Sequence, residues 1–458
     1  MTKIISFISI LMLVLSSPAV LDAQWAKAYG GSEDDWANDI FPAPGGGFIV
    51  AGGTKSYLAN ANFSKAFWIL KLDAEGTALW QRLDIQPYSS ASGSDAFGVR
   101  VAADGKIAAL INYNYPGCNY FQILKFDRNG KEDPAFFQVY RTEFVPYDAS
   151  VYPSFGVLGD GGFLVVGHHV GPSNRTGGMV VHRLSRTGWS QTLIKPDGPE
   201  QDYAHVTAST LDGGALVAGV TRSFGAGATD VWLLKLSPRG RIQWQSTYGW
   251  AGEDLVYDLE KTSDGGSVLL GQTDAEGMRR WDLWVLKLDK NGNILWEKTY
   301  GGANGDYAHS IQQTRDRGYI VAGTTYSFRA GTGDAWVFKL DAAGEIVWQY
   351  RYGGSFYDGA WAVREIPSAF GGGYIVGGKT RSFGAGNDDV LVLKLAEDGT
   401  IDPSCGVFVS ATAAAVKTIH SVVRPTSALV AGYPIGAFFN RYKAGNNETT
   451  AQTVICKK

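Results

Sequence analysis

The chain carries a pattern of apolar and polar positions that repeats about every 52 residues. In the copy from Trp296 to Gln349, the segment Tyr319–Thr325 is nearly continuous in apolar and small residues, which predicts a strand buried on both faces. Glu345–Tyr352 alternates apolar and polar residues, which predicts an outer strand with one face in water. With Tyr307–Gln313 and Asp334–Leu340 as the other two strands, each copy is a four-stranded unit.

A glycine in a short hairpin between the third and fourth strands counts the copies. Glycine supplies the positive φ that such a tight loop needs. The glycine occurs seven times, at Gly76, Gly130, Gly188, Gly240, Gly292, Gly344 and Gly399. Seven four-stranded copies predict an all-β, seven-bladed β-propeller over residues 24–400.

The two ends of the repeat region predict how the ring closes. Gln24–Gly31 matches a fourth strand but has no earlier strands to join, and the last copy changes after Val390–Leu395 into IDPSCG without a fourth strand of its own. We therefore predict that the N-terminal strand completes the C-terminal blade and hides both sheet edges. Residues 401–458 fall outside the repeat and are predicted to form a small β-rich C-terminal appendage.

The first 23 residues have the form of a secretory signal peptide. Lys3 precedes the apolar run Ile4–Leu15, and small residues follow as far as Ala19 and Ala23, which are the candidate cleavage sites. The apolar run is shorter than the ~20 residues of a membrane-spanning helix. We expect a secreted protein, extracellular, periplasmic or on the cell surface, with no membrane span once the signal is removed.

Charge and cysteine content narrow the partners further. Lys and Arg number 41 against 44 Asp and Glu, so no broad basic field points to nucleic acid. A monomer is expected. In an oxidising compartment Cys405 and Cys456 can form a disulfide that leaves Cys118 unpaired, and the alternative is three reduced thiols.

The repeat motif resembles a known family. Y-G-G, then D-x-A, then G-G-[YF]-[IVL]-V-A-G, then D-x-W-V-x-K-L-D-x-x-G is similar to the repeats of secreted and surface bacterial seven-bladed β-propellers (SBBP-type), and more distantly to the Trp-rich blades of quinoprotein propellers. The resemblance covers about Gln24–Thr400. It implies the fold, an extracellular setting and a role in binding or adhesion, and it brings no agreed catalytic residues.

Two sets of aspartates recur at the ends of loops that share one face of the ring. They are Asp35, Asp95, Asp202, Asp254, Asp306 and Asp358 in the first set, and Asp230, Asp282, Asp334 and Asp389 in the second. A ring of carboxylates can hold Ca²⁺, which prefers oxygen ligands. We interpret the aspartates instead as caps on backbone N–H groups of glycine-rich turns, and expect no cofactor, with Ca²⁺ as the alternative.

Candidate ligand contacts lie where copies two and three depart from the repeat. Copy two contains Tyr113, Asn114, Tyr115 and Tyr120, and copy three contains His168, His169 and Arg175. These side-chain types suit recognition of a sugar, whereas neutral drift in two tolerant blades is the alternative. One first-strand position holds Asn38, His205, Tyr257, His309 and Trp361, which we interpret as a variable lining of the channel.

No enzyme signature accompanies these features. The sequence has no sialidase-type Asp box, G-x-S-x-G elbow, H-E-x-x-H or P-loop. We predict a non-catalytic binding or adhesion propeller that recognises a glycan or protein on its loop face. The alternatives are a carbohydrate-active hydrolase or lyase that uses aspartates on that face, and a purely structural module. An aromatic platform would favour binding, and two carboxylates at glycosidase spacing would favour hydrolysis.

Overall fold

A computed structural model describes the chain in segments that cover most of the repeat region. These are residues 24–58, 64–83, 93–115, 118–136, 139–142, 154–170, 177–188, 190–194, 198–274, 281–328, 332–401, 408–411, 415–418 and 422–425. They form seven sheets, each built on four antiparallel strands, arranged as a seven-bladed β-propeller. The predicted fold class is confirmed, and the strands predicted in copy six agree with the structure to within one residue at each end.

The strands follow one another with short connections. They are β1 (Trp25–Tyr29), β2 (Asp35–Pro42), β3 (Phe48–Thr54), β4 (Ala66–Leu72), β5 (Ala78–Leu83), β6 (Gly93–Val101), β7 (Ile107–Tyr115), β8 (Cys118–Phe126), β9 (Val139–Thr142), β10 (Ser154–Val157), β11 (Phe163–Val170), β12 (Gly177–Leu184), β13 (Ser190–Ile194), β14 (Asp202–Ser209), β15 (Ala215–Thr221), β16 (Asp230–Leu236), β17 (Ile242–Gly249), β18 (Asp254–Lys261), β19 (Ser267–Thr273), β20 (Asp282–Leu288), β21 (Ile294–Gly301), β22 (Asp306–Gln313), β23 (Tyr319–Thr325), β24 (Asp334–Leu340), β25 (Ile346–Gly353), β26 (Asp358–Glu365), β27 (Tyr374–Thr380), β28 (Asp389–Leu395), β29 (Phe408–Ala411), β30 (Ala415–Thr418) and β31 (Val422–Pro425). Two short 3₁₀ helices occupy Pro134–Phe136 and Ser368–Phe370.

Each blade takes four consecutive strands, except the one that closes the ring. Blades one to six are β2–β5, β6–β9, β10–β13, β14–β17, β18–β21 and β22–β25. Blade seven consists of β26, β27 and β28 with β1 as its outer strand. The first strands contact one another in sequence around the ring, and β26 contacts β2, so these strands line the central channel.

The N-terminal strand closes the ring as predicted. β1 pairs antiparallel with β28, with Trp25 opposite Lys394 and Tyr29 opposite Val390. From this position Trp25 Nε1 donates to the Ala74 carbonyl at 3.0 Å, in the last hairpin of blade one. The first strand of the chain therefore joins the last blade to the first.

The same contact joins other neighbouring blades. In this contact, called the inter-blade latch below, the outer strand of one blade donates side-chain hydrogen bonds to the last hairpin of the next blade. In blade five, Trp296 Nε1 donates to the Ala342 carbonyl at 3.1 Å, and the Tyr300 hydroxyl donates to the Gly344 carbonyl at 2.7 Å. Gly344 lies in the next blade's hairpin with φ of 77°, and the ring of Trp296 lies directly against it. The hairpin glycine is therefore required both by its backbone conformation and by the close approach of the indole.

The hydrophobic core lies between neighbouring blades. Trp232, Trp284 and Trp336 hold the same third-strand position and are fully buried. Trp336 of blade six packs in one cluster with Leu270 and Val285 of blade five. Large flat side chains at this position bury the facing surfaces of adjacent sheets. The described residues contain no helix long and apolar enough to span a membrane.

After the repeat, the tail winds backward around the outside of the ring. β29 adds a fifth strand to blade six by pairing with β25, β30 pairs with β21 of blade five, and β31 pairs with β17 of blade four. The three strands begin at Phe408, Ala415 and Val422, seven residues apart. Each tail strand thus covers the outer edge of one blade.

Candidate functional site

A β-bulge in the first strand of each of six blades determines which side chains line the channel. In six blades the register of the first strand shifts by one residue just after it enters the channel. The extra residues are Asn38, Phe97, His205, Tyr257, His309 and Trp361. A β-bulge bends its strand and re-aims the side chain of the extra residue, and bulges are common beside functional sites.

Aromatic side chains from blades five, six and seven meet at the mouth of the channel. The Tyr257 and His309 rings are 6.5 Å apart, and the His309 and Trp361 rings are 6.0 Å apart. Closer to the loop face, the Tyr326 ring lies 5.7 Å from Tyr307 and 6.5 Å from Tyr357. These six residues are called the mouth cluster below.

The mouth cluster is partly open to solvent. Tyr307 is 38% exposed, and Tyr326, Tyr357 and Trp361 are half-buried. Trp361 Nε1 and, across the channel, His205 Nε2 are buried without a hydrogen-bond partner. Buried polar atoms are nearly always paired in folded proteins, so these two atoms are among the exceptions in the described part of the chain.

Three charged residues border the cluster. The Lys379 ammonium lies 5.2 Å from the centre of the Tyr357 ring and 5.3 Å from that of Trp361. Asp388 accepts from Lys379 at 3.0 Å and from Arg381 Nε at 2.6 Å. Burial raises the pKa of Asp388, but the hydrogen bonds from Arg381 and Lys379 outweigh burial, so the pKa is lower than usual. Two cations and one anion leave a net positive charge beside the aromatic rings.

The two histidines of the channel are neutral at physiological pH. Burial lowers the pKa of His309 and of His205 to about 4. His309 Nε2 lies 3.4 Å from the Thr324 hydroxyl. A neutral imidazole can donate one hydrogen bond and accept one, which suits contact with a hydroxyl group of a ligand.

The recurring aspartates meet in pairs across blade boundaries. A Cβ on Gly249 would lie 2.5 Å from a carboxylate oxygen of both Asp230 and Asp254, so only glycine fits between them. The same arrangement surrounds three other glycines, with Asp282 and Asp306 at Gly301, Asp334 and Asp358 at Gly353, and Asp389 and Asp35 at Gly30.

Most of these carboxylates bind their own turns. Asp306 accepts from the Gly302 amide at 2.8 Å and from the Thr325 and Ser327 hydroxyls at 2.6 and 2.7 Å. Asp202 accepts from the Thr221 hydroxyl at 2.5 Å. In the part of the chain that the structure describes, no group of three or more His, Cys, Asp or Glu is arranged to hold a metal ion.

Asp95 differs from the rest of its set. Asp95 directly precedes Ala96 and Phe97, the two residues at the bulge of β6. In register, Ser94 of β6 therefore corresponds to Asp35 of β2. Asp95 accepts from Lys65 at 2.8 Å and from Asn38 Nδ2 at 2.9 Å. It therefore lies at the channel mouth, and burial raises its pKa.

The predicted contacts of blades two and three are described only in part. Tyr113 is buried in the core between blades one and two, and its hydroxyl donates to Gln122 Oε1 at 2.9 Å. In register, Tyr113 pairs with Tyr120. His168 of β11 holds the position that Lys379 has in β27. The side chains of Asn114, Tyr115, Tyr120, His168 and His169 lie outside the described residues, as do all of Arg175, Cys405, Cys456 and residues 1–23.

Sequence reasoning identified the position of Tyr257, His309 and Trp361 but interpreted it as a variable lining. It missed Tyr326 and Tyr357, which lie just outside strands β23 and β26. The sequence feature that indicates the site is the run of aromatic residues at one repeat position in consecutive blades. It was given less weight than the departures from the repeat in copies two and three.

No family model matches the chain, and no curated protein matches it. Among solved structures, it is similar to an α-L-arabinanase from Penicillium chrysogenum at 12% identity over 65% of this chain and 92% of that one, with a TM-score of 0.41. It is also similar to polysaccharide lyase Uly1 at 12% identity over 80% and 91%, with a TM-score of 0.42. A third, puromycin hydrolase, has 14% identity over 76% of this chain and 50% of its own length, with a TM-score of 0.44. The chain thus spans about half of puromycin hydrolase, and similarity at this level says nothing of activity.

Proposed function

We propose that this protein is a secreted, non-catalytic propeller that binds a glycan at the mouth cluster. The observation that carries the proposal is the run of aromatic rings from three adjacent blades, from Tyr257 through Trp361 to the half-exposed tyrosines. Aromatic rings offer flat apolar faces for the C–H faces of sugars, and their polar edges bind hydroxyls.

The unpaired polar atoms of the mouth support this proposal. Trp361 Nε1 can only donate, whereas His205 Nε2 can only accept, because the other ring nitrogen of the neutral His205 donates to the Val256 carbonyl. A sugar presents both donors and acceptors on each hydroxyl. A ring that stacks on the cluster can therefore satisfy buried atoms that the protein leaves unsatisfied.

Asp388, the carboxylate that borders the cluster, is unsuited to hydrolysis. A glycosidase needs one protonated carboxyl as acid and a second carboxylate about 5–9.5 Å away. Asp388 is bound by two cations and has a lowered pKa, so it does not serve as an acid at neutral pH.

Calorimetric titration of residues 24–458 with a panel of soluble polysaccharides tests the proposal. Tyr307 and Tyr203 form a matched pair, because they hold the same position of β22 and β14 and only Tyr307 belongs to the mouth cluster. We expect Tyr307→Ala to weaken glycan binding about tenfold or more, and Tyr203→Ala to leave it unchanged.

Two results would contradict the proposal. Binding to none of the polysaccharides, or equal losses in both variants, would remove the mouth cluster as a glycan site. New reducing ends or unsaturated products during the titration would support the hydrolase or lyase alternative instead.

Secretion has its own test. Expression of the full chain in a bacterial host, followed by mass determination of the exported protein, should give a mature chain that begins at Val20 or Gln24. A protein that keeps Met1 and stays in the cytoplasm would contradict export.

A further inference from the structure

The tail strands pair with the outer strands up to the loops that lead into the next blade. Each tail strand pairs with the last four residues of an outer strand, and its first residue lies opposite the last residue of that strand. These closing pairs are Ala415 with Gly301, Phe408 with Gly353, and Val422 with Gly249. The tail therefore holds each outer strand to the residue at which the next loop begins.

The loop after β21 contacts two tyrosines of the mouth cluster. Tyr307 is the second residue after this loop, which is formed by residues 302–305. The Tyr326 amide donates to the Gly305 carbonyl at 3.3 Å, and Asn304 Nδ2 donates to the Tyr326 carbonyl at 3.0 Å. The loop thus helps to place Tyr307 and Tyr326, and β30 pairs with the strand that leads into it.

The loop after β25 contains a third tyrosine of the cluster. Tyr357 lies directly before β26, and its carbonyl accepts from the Arg381 amide at 2.8 Å. In the same loop, the Phe356 amide donates to the Ser382 hydroxyl at 3.0 Å. β29 pairs with the strand that leads into this loop.

The loop after β17 provides an internal comparison. Residues 250–253 include no member of the mouth cluster, and Leu255 holds in β18 the position that Tyr307 has in β22. Tyr257, the cluster residue of this blade, lies within β18 between two residues that pair with β19. β31 therefore supports a loop that carries none of the tyrosines near the loop face.

We propose that β29 and β30 position the tyrosines of the mouth cluster, so that the tail sets the affinity of this site for its ligand. An unpaired outer strand frays, because its exposed backbone hydrogen bonds open at a low cost in free energy. Pairing up to the last residue of the strand prevents fraying where the loop begins. A tyrosine that is already held in place loses less conformational entropy when a ligand binds. This inference rests on the proposed glycan binding.

Paired proline substitutions in residues 24–458 release one tail strand at a time. Neighbouring residues of a strand direct their N–H groups to opposite sides, so two adjacent prolines must remove one donor that faces the outer strand. The variants are Val416→Pro with Lys417→Pro in β30, Val409→Pro with Ser410→Pro in β29 and, as the matched control, Val423→Pro with Arg424→Pro in β31. The substitutions lie at corresponding register positions of the three tail strands.

Calorimetric titration with xyloglucan, galactomannan, pullulan and polygalacturonate measures the effect on binding. We expect the β29 and β30 variants to bind the preferred probe about three- to tenfold more weakly than the wild type, and the β31 variant to bind it as the wild type does. All three variants lose equivalent pairs, so their melting temperatures should be similar. A loss of affinity that does not follow the melting temperature reports positioning rather than stability.

Hydrogen exchange followed by mass spectrometry measures the same effect without a ligand. Residues 302–305 should exchange faster in the β30 variant only, and residues 354–357 in the β29 variant only. Faster exchange of both loops in the β31 variant would show a general loosening of the ring and would contradict the positioning role.

The outcomes separate the inference from the proposed function. Unchanged affinity in the β29 and β30 variants, or an equal loss in the β31 variant, would overturn the positioning role, and glycan binding would stand if Tyr307→Ala still weakens it. If the wild type binds none of the probes, the proposed glycan binding fails. Exchange in the two loops then decides the inference by itself, and unchanged exchange overturns it.

Discussion

Arg364 of the last blade donates from Nη2 to Asp39 Oδ1 of the first blade at 3.4 Å, although 325 residues separate them in sequence. Asp39 also accepts from Arg100 of blade two. On its other side, Arg364 donates to the Ser310 hydroxyl at 2.9 Å, and Ser310 donates to Asp258 at 3.1 Å. A continuous chain of polar contacts therefore crosses the channel side of five blades, including the seam where the ring closes.

The first prediction concerns this network. Asp39→Ala leaves Arg364 buried without its carboxylate partner, and loss of one member of a buried ion pair costs about 3–5 kcal/mol of unfolding free energy. Asp34→Ala is the control, because it removes an exposed pair with Lys55 that should contribute less than about 1 kcal/mol. Urea unfolding measures both values. Equal, small losses would show that the network does not stabilise the ring.

The second prediction isolates the packing of the inter-blade latch. Gly344 and Gly265 both have positive φ, at 77° and 84°, so alanine strains the backbone by about 1 kcal/mol at either position. A Cβ on Gly344 would also lie 2.9 Å from the Trp296 ring, whereas a Cβ on Gly265 would meet nothing within 4 Å. We expect Gly344→Ala to lower the unfolding free energy by roughly 1–3 kcal/mol more than Gly265→Ala. Similar losses in chemical denaturation would show that the indole moves aside freely.

The architecture of the ring was predictable because it depends on local patterns that recur. The Gln24–Gly31 segment carries the Trp-x-x-x-Tyr spacing of a fourth strand, and that spacing is what places Trp25 and Tyr29 on the hairpin of blade one. The hairpin glycines belong to the neighbouring blade and form the other side of the same contact. Because these contacts recur with the repeat, the period of the repeat is enough to predict them.

The candidate site was not predictable because it depends on departures from the repeat that act together in space. Tyr326 lies after β23, Tyr357 lies before β26, and Trp361 is the extra residue of a bulge. No single period relates these positions, and the bulge is not visible in the apolar pattern. Gly359 gives no sign in the sequence that the Tyr357 hydroxyl, Trp361 Nε1 and the Thr324 hydroxyl crowd around it.

The third prediction concerns the tail. β29, β30 and β31 pair with the outer strands of blades six, five and four, so removal of residues 402–458 exposes those strand edges. Hydrogen exchange followed by mass spectrometry should show faster exchange in β17, β21 and β25 of the truncated chain. Association in solution should increase, because unpaired edges template further pairing.

The control for the tail experiment lies within the same molecule. β5 is the outer strand of blade one, and none of the described tail strands pairs with it. Its exchange should stay unchanged by the truncation. Equal acceleration in β5 would indicate general loosening of the propeller, and no acceleration anywhere would contradict the pairing of the tail.

The fourth prediction follows from the aspartate pairs across blade boundaries. Burial, with a smaller contribution from the nearby Asp230 carboxylate, raises the pKa of Asp254 to about 6. In the unfolded chain an aspartate has a pKa of about 3.9. Between about pH 4 and pH 6 the folded state therefore holds a proton that the unfolded state releases, and the unfolding free energy falls as pH rises.

The difference between wild type and Asp254→Asn measures this contribution. His205 and His309, whose pKa values are lowered to about 4, contribute the opposite slope in the same window, so the wild-type curve alone does not resolve it. Asparagine keeps an acceptor for the Trp250 amide, 2.7 Å from Asp254 in the wild type, but cannot ionise. We expect the stability of wild type relative to the variant to fall by on the order of 2 kcal/mol from pH 4 to pH 6. A constant difference across this range would show that the Asp254 carboxyl titrates in the folded protein as it does in the unfolded chain, and that burial at the blade boundary does not raise its pKa.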